Sequence, residues 1–199
     1  MDYMPIADFI AEKRFVRHLE LIEAGFNPAT IARATARGDL VRMDLGIYAD
    51  PVASEHWKAE LAVATCAFPR SVIAGASAAQ QHELCDVMPH AISILAPHVS
   101  RHKTALITPI SISRTRRPEA LTEGIEALDV AGYQVPITSP ARTVIDLHLT
   151  GDEQSAAMSL VTYMHRGLDV MELDRLSAVF GIFDQLAPVT IALQLRAYG

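Results

Sequence analysis

The chain has 199 residues, half of them hydrophobic and 20% charged, with a formal net charge of −6 and two cysteines. That length suits one large domain or two small ones, and the composition argues for packed structure over disorder. The acidic balance excludes nucleic-acid binding driven by bulk charge. Cys66 and Cys85 are too few for a disulfide framework or a zinc site. No apolar run reaches the ~18 residues that span a bilayer. The opening Met1-Asp2-Tyr3-Met4-Pro5, followed by Asp8, lacks the character of a secretory signal. A cytoplasmic protein is expected, with no membrane partner.

Residues 6–24 have a helical pattern: Phe15, Leu19 and Ile22 recur at i, i+4 and i+7, with Val16 widening the stripe. Gly25 ends this run. Asn27 and Pro28 suit the N-cap and first turn of a second helix, which Gly38 closes. Leu40–Met43 and Gly46–Ala49 predict a small β-hairpin. Helices followed by a hairpin make a winged helix-turn-helix over residues 1–50, with Pro28–Arg37 in the recognition position.

Asp50–Ser54 reads as a link to a second domain over residues 55–199. There, Glu55–Ala67 predicts a helix with Trp57, Leu61 and Ala64 on one face. Short strands are expected at Ser71–Ala74, Ala91–Ala96, Ile110–Ser113, Ile125–Val130 and Tyr133–Ile137, the last two joined by an Ala131-Gly132 turn. Ser77 is a candidate cap for a helical turn reaching Leu84. Helices follow at Ala141–Leu149, Glu153–Arg166, Glu172–Phe180 and Leu186–Ala197. The predicted class is α+β, a winged helix followed by a mixed-sheet α/β domain with C-terminal helices.

Charge is local where it is positive. Residues 1–50 carry six Lys/Arg against eight Asp/Glu. Arg33, Arg37 and Arg42 form one cluster; Arg101, His102, Lys103, Arg114, Arg116 and Arg117 form another. Such patches can grip phosphate locally, because screening hides charges beyond roughly 8–10 Å. Thr30, Arg33 and Arg37 fall at i, i+3 and i+7, so they share a helix face. Arginine suits bidentate contacts to guanine and phosphate, and Thr30 lies near the helix start, where base contacts are usually made. The same face can equally be plain solvated surface. The segments around Arg101, Lys103, Arg114, Arg116 and Arg117 can extend a phosphate-binding surface, contact RNA, or hold the domain's own carboxylates.

Three stretches carry a resemblance. Pro28 through Tyr48 is similar to a helix, then Gly38-Asp39-Leu40, then a wing ending in Gly46-Ile47-Tyr48. Val72-Ile73-Ala74-Gly75-Ala76-Ser77-Ala78-Ala79 is similar to a strand followed by a Ser-Ala signature. Thr138-Ser139-Pro140-Ala141-Arg142-Thr143-Val144-Ile145-Asp146-Leu147 matches a Thr-Ser-Pro-x-Arg-Thr-(x)2-Asp-Leu pattern. Together they resemble the AbiEi family, the antitoxins of type IV toxin–antitoxin systems, from roughly residue 15 to 150. The resemblance implies a winged helix that binds double-stranded operator DNA and represses its own operon. It also implies a second domain that neutralises a nucleotidyltransferase toxin without obligatory stable binding. The wing departs from the family: Arg42 is followed by Met43-Asp44-Leu45, where two or three basic residues are usual, so a weaker phosphate grip is expected.

Catalytic signatures are missing. A nucleotidyltransferase needs a Gly-Ser loop followed by Asp-x-Asp, and Gly75-Ala76-Ser77 has no such partner at Asp86. No Walker loop, Gly-x-Ser-x-Gly or His-Glu-x-x-His motif occurs. The eight histidines are scattered. His98 and His102 have i, i+4 spacing but follow Pro97 in a loop pattern, so no metal or cofactor is expected. Neither cysteine has the basic surroundings of a reactive thiol. Arg142 and Asp146, also i and i+4, lie among Val144, Ile145 and Leu147 and are expected to be a structural tie across a strand–helix junction. The expected function is therefore that of a non-enzymatic DNA-binding regulator and antitoxin. Contacts would come from Thr30, Arg33, Arg37 and Arg42. The alternative is a protein-interaction module whose winged helix binds a partner protein.

Overall fold

A computed structural model describes residues 4–86, 88–98, 105–150 and 153–197. The chain begins with helix α1 (Ile6–Lys13), strand β1 (Phe15–Arg17), helix α2 (His18–Glu23), helix α3 (Pro28–Arg37) and strands β2 (Val41–Asp44) and β3 (Ile47–Ala49). Residues 6–24 are therefore not one helix. Arg14 takes a left-handed φ of 65° and breaks the turn. Phe15 and Val16 then leave the helical pattern to pair with Ala49 and Tyr48 of β3. Leu19 and Ile22, expected on the buried stripe, are exposed. For α3 the local signals suffice: the Asn27 side chain accepts from the Thr30 amide at 2.9 Å, Pro28 opens the first turn, and Gly38 ends the helix.

The three strands form an antiparallel sheet in the order β1-β3-β2, and strand alternation divides two cores between its faces. Val16 and Tyr48 face a small core with Ile10, Leu21, Ile31 and Leu40. Phe15, Ile47 and Ala49 face the other way and join the main core. The connection is tightly held. The Arg14 carbonyl accepts from the Asp50 amide at 2.8 Å, its guanidinium meets the Asp50 carboxylate at 3.1 Å, and that carboxylate also caps helix α4 (Pro51–Ser54). Residues 50–54 thus contain a capped helical turn with Asp50 and Ala53 buried.

Helix α5 (Ala59–Ala67) follows; it starts later than the sequence suggests and is buried on nearly every side. Trp57 lies before it at 79% exposure, with the Lys58 ammonium 4.4 Å from its ring centroid, and so is not part of the core face. The helix packs against β1, β3 and the second sheet. Alanines at 59, 62, 64 and 67 allow that approach from several directions.

The second sheet contains β4 (Val72–Ile73), β5 (Ile92–Pro97), β6 (Ile110–Thr115), β7 (Ile125–Val130) and β8 (Tyr133–Thr138). Its order is β6-β5-β4-β8-β7, with parallel β5–β6 and β4–β8 pairs and antiparallel β4–β5 and β7–β8 pairs. The mixed pairing and the flanking helices make the protein α+β. The β7–β8 turn uses Ala131 and Gly132 at φ 53° and 88°, which matches the twist of a tight hairpin.

Ile73, Ile94, Val135 and Ile137 meet α5 in the main core. Another core forms among α6 (Gly75–Gln81), α7 (Pro140–Thr150), α8 (Glu153–His165), α9 (Val170–Phe180) and α10 (Phe183–Ala197). Ser77 lies inside α6, where its hydroxyl accepts from the Ser93 amide at 2.9 Å instead of capping the helix. Among the described residues, no helix is long and apolar enough to cross a membrane.

Candidate nucleic-acid interface

Helix α3 buries Ile31 and Ala34 and leaves Arg33 and Arg37 exposed, with Thr30 partly covered. The 3.6-residue period that places the two apolar residues inside therefore puts the two arginines outside. Thr30, Arg33 and Arg37 line one shallow depression together with Asp39 and the first turn of α1. Among the described residues, Arg33 is held by its own helix: Nε donates to the Ala29 carbonyl at 3.3 Å, and Nη2 reaches the Thr30 hydroxyl at 3.5 Å. Arg37 differs. Its Nε and Nη2 both donate to Asp39 Oδ2, at 2.9 and 2.6 Å. That clamp across Gly38 escaped the sequence reading, because the turn that brings residue 39 back beside residue 37 is not a helical spacing.

Arg42 is exposed on β2, with Nε 3.4 Å from the Asp44 carbonyl. The Asp44 carboxylate does not oppose it at the surface. Asp44 is buried, and its Oδ1 accepts from the Leu45 amide at 2.7 Å and from the Ala105 amide at 2.6 Å. Through Ala105, Asp44 docks the hairpin to the second sheet's side of the molecule.

The second basic cluster is only partly gathered. Arg101 and Lys103 lie outside the described residues. Arg114 is exposed on β6, opposite Ala96. Arg116 contacts His98 Nε2 at 3.3 Å. Arg117 binds Glu119 at 3.0 Å and lies 5.7 Å from the Phe180 ring centroid, so it holds one of the domain's own carboxylates. Arg114 on β6, and Arg116 and Arg117 just after it, do not line the depression at α3.

Arg142 is 2% exposed, the largest of the fully buried side chains. Its Nε donates to Asp146 Oδ1 at 2.8 Å, Nη1 to the Glu123 carbonyl at 2.8 Å and Nη2 to the Ala120 carbonyl at 3.2 Å. The guanidinium carbon stands 3.9 Å from the Phe180 ring centroid, a cation–π contact. The residue thus ties α7 to the segment before β7 and to α9. Burial raises the Asp146 carboxyl pKa above its usual value, against the opposing pull of Arg142. Asp146 Oδ2 is buried without a hydrogen-bond partner among the described residues.

Burial pushes the Cys66 thiol up to about 12, so it stays protonated near neutral pH. Among the described residues, no three His, Cys, Asp or Glu side chains are grouped to hold a metal ion. No protein-family model and no curated protein matches the chain. Among solved structures, it is similar to the crystal structure of the RV2827C protein from Mycobacterium tuberculosis, with a TM-score of 0.51 and 20% identity over 87% of this chain and 70% of that one. At that identity the likeness is one of fold.

Proposed function

We propose that the N-terminal unit is a winged helix-turn-helix and that the protein is a DNA-binding regulator and antitoxin of the AbiEi type. The observation that carries this reading is the element order α1-β1-α2-α3-β2-β3 around a β1-β3-β2 sheet, with the arginine-bearing face of α3 left uncovered. In such a unit the second helix of the turn enters the major groove and the hairpin meets the backbone. Arg33 can reach a base edge without breaking an ion pair, since it has none among the described residues. Arg42 supplies the hairpin's phosphate contact. Arg37 contributes once it is exchanged from Asp39 to DNA. The second domain, joined through the Arg14–Asp50 connection, would carry toxin neutralisation; a nucleotidyltransferase toxin is the proposed functional partner, with no lasting complex required.

A gel-shift with the gene's own upstream region at two salt concentrations tests the regulator reading. Retardation that falls steeply with salt supports phosphate contacts. No retardation at micromolar protein and low salt overturns it. One observation favours a protein-binding role instead: Asp39 already neutralises half of the α3 arginine pair. In that case α3 variants would abolish capture of a partner protein and leave no DNA affinity to lose.

A further inference from the structure

At one end of the five-stranded sheet, a groove of about 710 Å³ lies among the start of β4, the ends of β5 and β6, and the 3-10 turn Pro118–Leu121. Small-molecule sites usually enclose about 300–1,000 Å³. Val72, Pro97, Leu121, Ile125 and Pro136 give it apolar walls, while Arg70, Arg116 and Arg117 supply cations. Glu119 balances Arg117. Arg70 and Arg116 have no carboxylate partner among the described residues, and Arg116 meets only the ring of His98, another lining residue.

Two further features mark the Pro69-Arg70-Ser71 corner. Ser71 is 1% exposed, lines the groove, and has a buried hydroxyl with no hydrogen-bond partner among the described residues. A buried hydroxyl left unsatisfied is uncommon and costs stability. Arg70 holds a left-handed φ of 64°, which a non-glycine residue adopts only under constraint from its surroundings. The corner therefore holds the Arg70 cation beside an apolar groove on a constrained backbone.

We propose that this groove binds a nucleoside phosphate. The phosphate lies between Arg70 and Arg116, whose planar guanidinium forks suit bidentate contact with its oxygens. The base lies against the proline and aliphatic walls, which inorganic phosphate alone would leave wet. The site stands apart from α3 and does not rest on the regulator reading.

The test is calorimetric titration of the full chain with AMP, ATP, GTP and CTP, and in parallel with orthophosphate, decanoate and a short DNA duplex. At least one nucleotide should bind about tenfold or more tightly than orthophosphate, and Arg116→Ala should weaken it about tenfold, as expected for loss of a charge-assisted contact. Arg70→Gly removes the guanidinium while suiting the left-handed backbone, so it should fold at least as well as the parent and still lose nucleotide binding. Equal binding of orthophosphate and nucleotides overturns the proposal, as does tighter binding of decanoate. It also fails if nucleotides give no heat at millimolar concentration, or if the duplex alone responds to the Arg70 and Arg116 substitutions.

Discussion

Asp44 accepts a hydrogen bond from the backbone amide of Ala105, 61 residues further along the chain, at 2.6 Å. This contact, with the one from the Leu45 amide, turns the carboxylate away from the hairpin's outer surface. Asp44→Ala leaves two amides without their acceptor, at a cost of ~1–3 kcal/mol each if they stay buried. The expected result is a clear loss in denaturant unfolding, with any loss of DNA affinity explained by loosening of the hairpin. Asp44→Lys, which adds positive charge to the hairpin, should weaken DNA binding too. An Asp44→Lys protein that melts like the parent and binds DNA more tightly would show that the Asp44 carboxylate opposes phosphate.

Sequence and structure agree where the determinants are local. Asn27, Pro28 and Gly38 bracket α3 because cap, first-turn proline and helix stop act within one turn of chain. Alternation and an Ala-Gly turn mark β7 and β8 for the same reason. Strand β1 is different. Phe15 and Val16 continue a helical stripe, and only pairing with Ala49 and Tyr48, more than thirty residues away, makes them extended. The α3 arginines are legible from spacing alone, but the Asp39 clamp, the Asp44 dock and the Arg70–Ser71 corner depend on tertiary geometry. Arg70 lies between Pro69 and Ser71 in a connection with no periodic pattern, so nothing local singles it out.

Arg33→Ala and Arg37→Ala separate recognition from folding. Both side chains are exposed, and surface changes of this kind usually alter stability by less than ~0.5 kcal/mol. A bidentate base contact is worth ~1–3 kcal/mol, so at least one variant should lose about tenfold in operator affinity. Arg33 is the stronger candidate, because no carboxylate among the described residues holds it. If both variants bind like the parent in a gel-shift, α3 is not the recognition helix.

Asp39 restrains Arg37 through two hydrogen bonds to one oxygen. Exposed ion pairs contribute only ~0–1 kcal/mol, so Asp39→Ala should leave the melting temperature nearly unchanged. It removes a negative charge beside the proposed interface and frees Arg37, so operator affinity should rise, by up to about fivefold for ~1 kcal/mol. A fall equal to that of Arg37→Ala would mean that Asp39 positions the arginine for binding.

Arg142 should behave as structure. Truncating one member of a buried pair commonly costs ~3–5 kcal/mol, and Arg142→Ala also leaves the Glu123 and Ala120 carbonyls without their donors. Gly124 offers an independent check on the same packing. A Cβ there would stand 2.8 Å from both Arg142 Cβ and Leu176 Cδ1, at a φ of 63°. Gly124→Ala should therefore destabilise by ~1–3 kcal/mol or more through overpacking, without touching any charge. In both variants, DNA binding and toxin neutralisation should fall only with the folded fraction. An Arg142→Ala protein that melts like the parent yet fails to neutralise the toxin would place Arg142 in the functional surface.

The Asp146 carboxyl gives that packing a pH signature. Burial raises its folded pKa above the ordinary 3.8, although Arg142 pulls the other way. The folded state then binds the proton more tightly than the unfolded chain does. Stability from this group is fully present below pH 3.8 and is lost as pH rises through the raised folded value. Asp146→Asn has no proton to exchange, so the difference in unfolding free energy, parent minus variant, isolates this group. Measured by denaturant titration at successive pH values, that difference should move in the parent's favour as pH falls through the window. The slope should not exceed ~1.4 kcal/mol per pH unit, the limit for one proton. A difference that moves the other way would mean that attraction to Arg142 outweighs burial, with Asp146 held ionised as a true ion-pair partner.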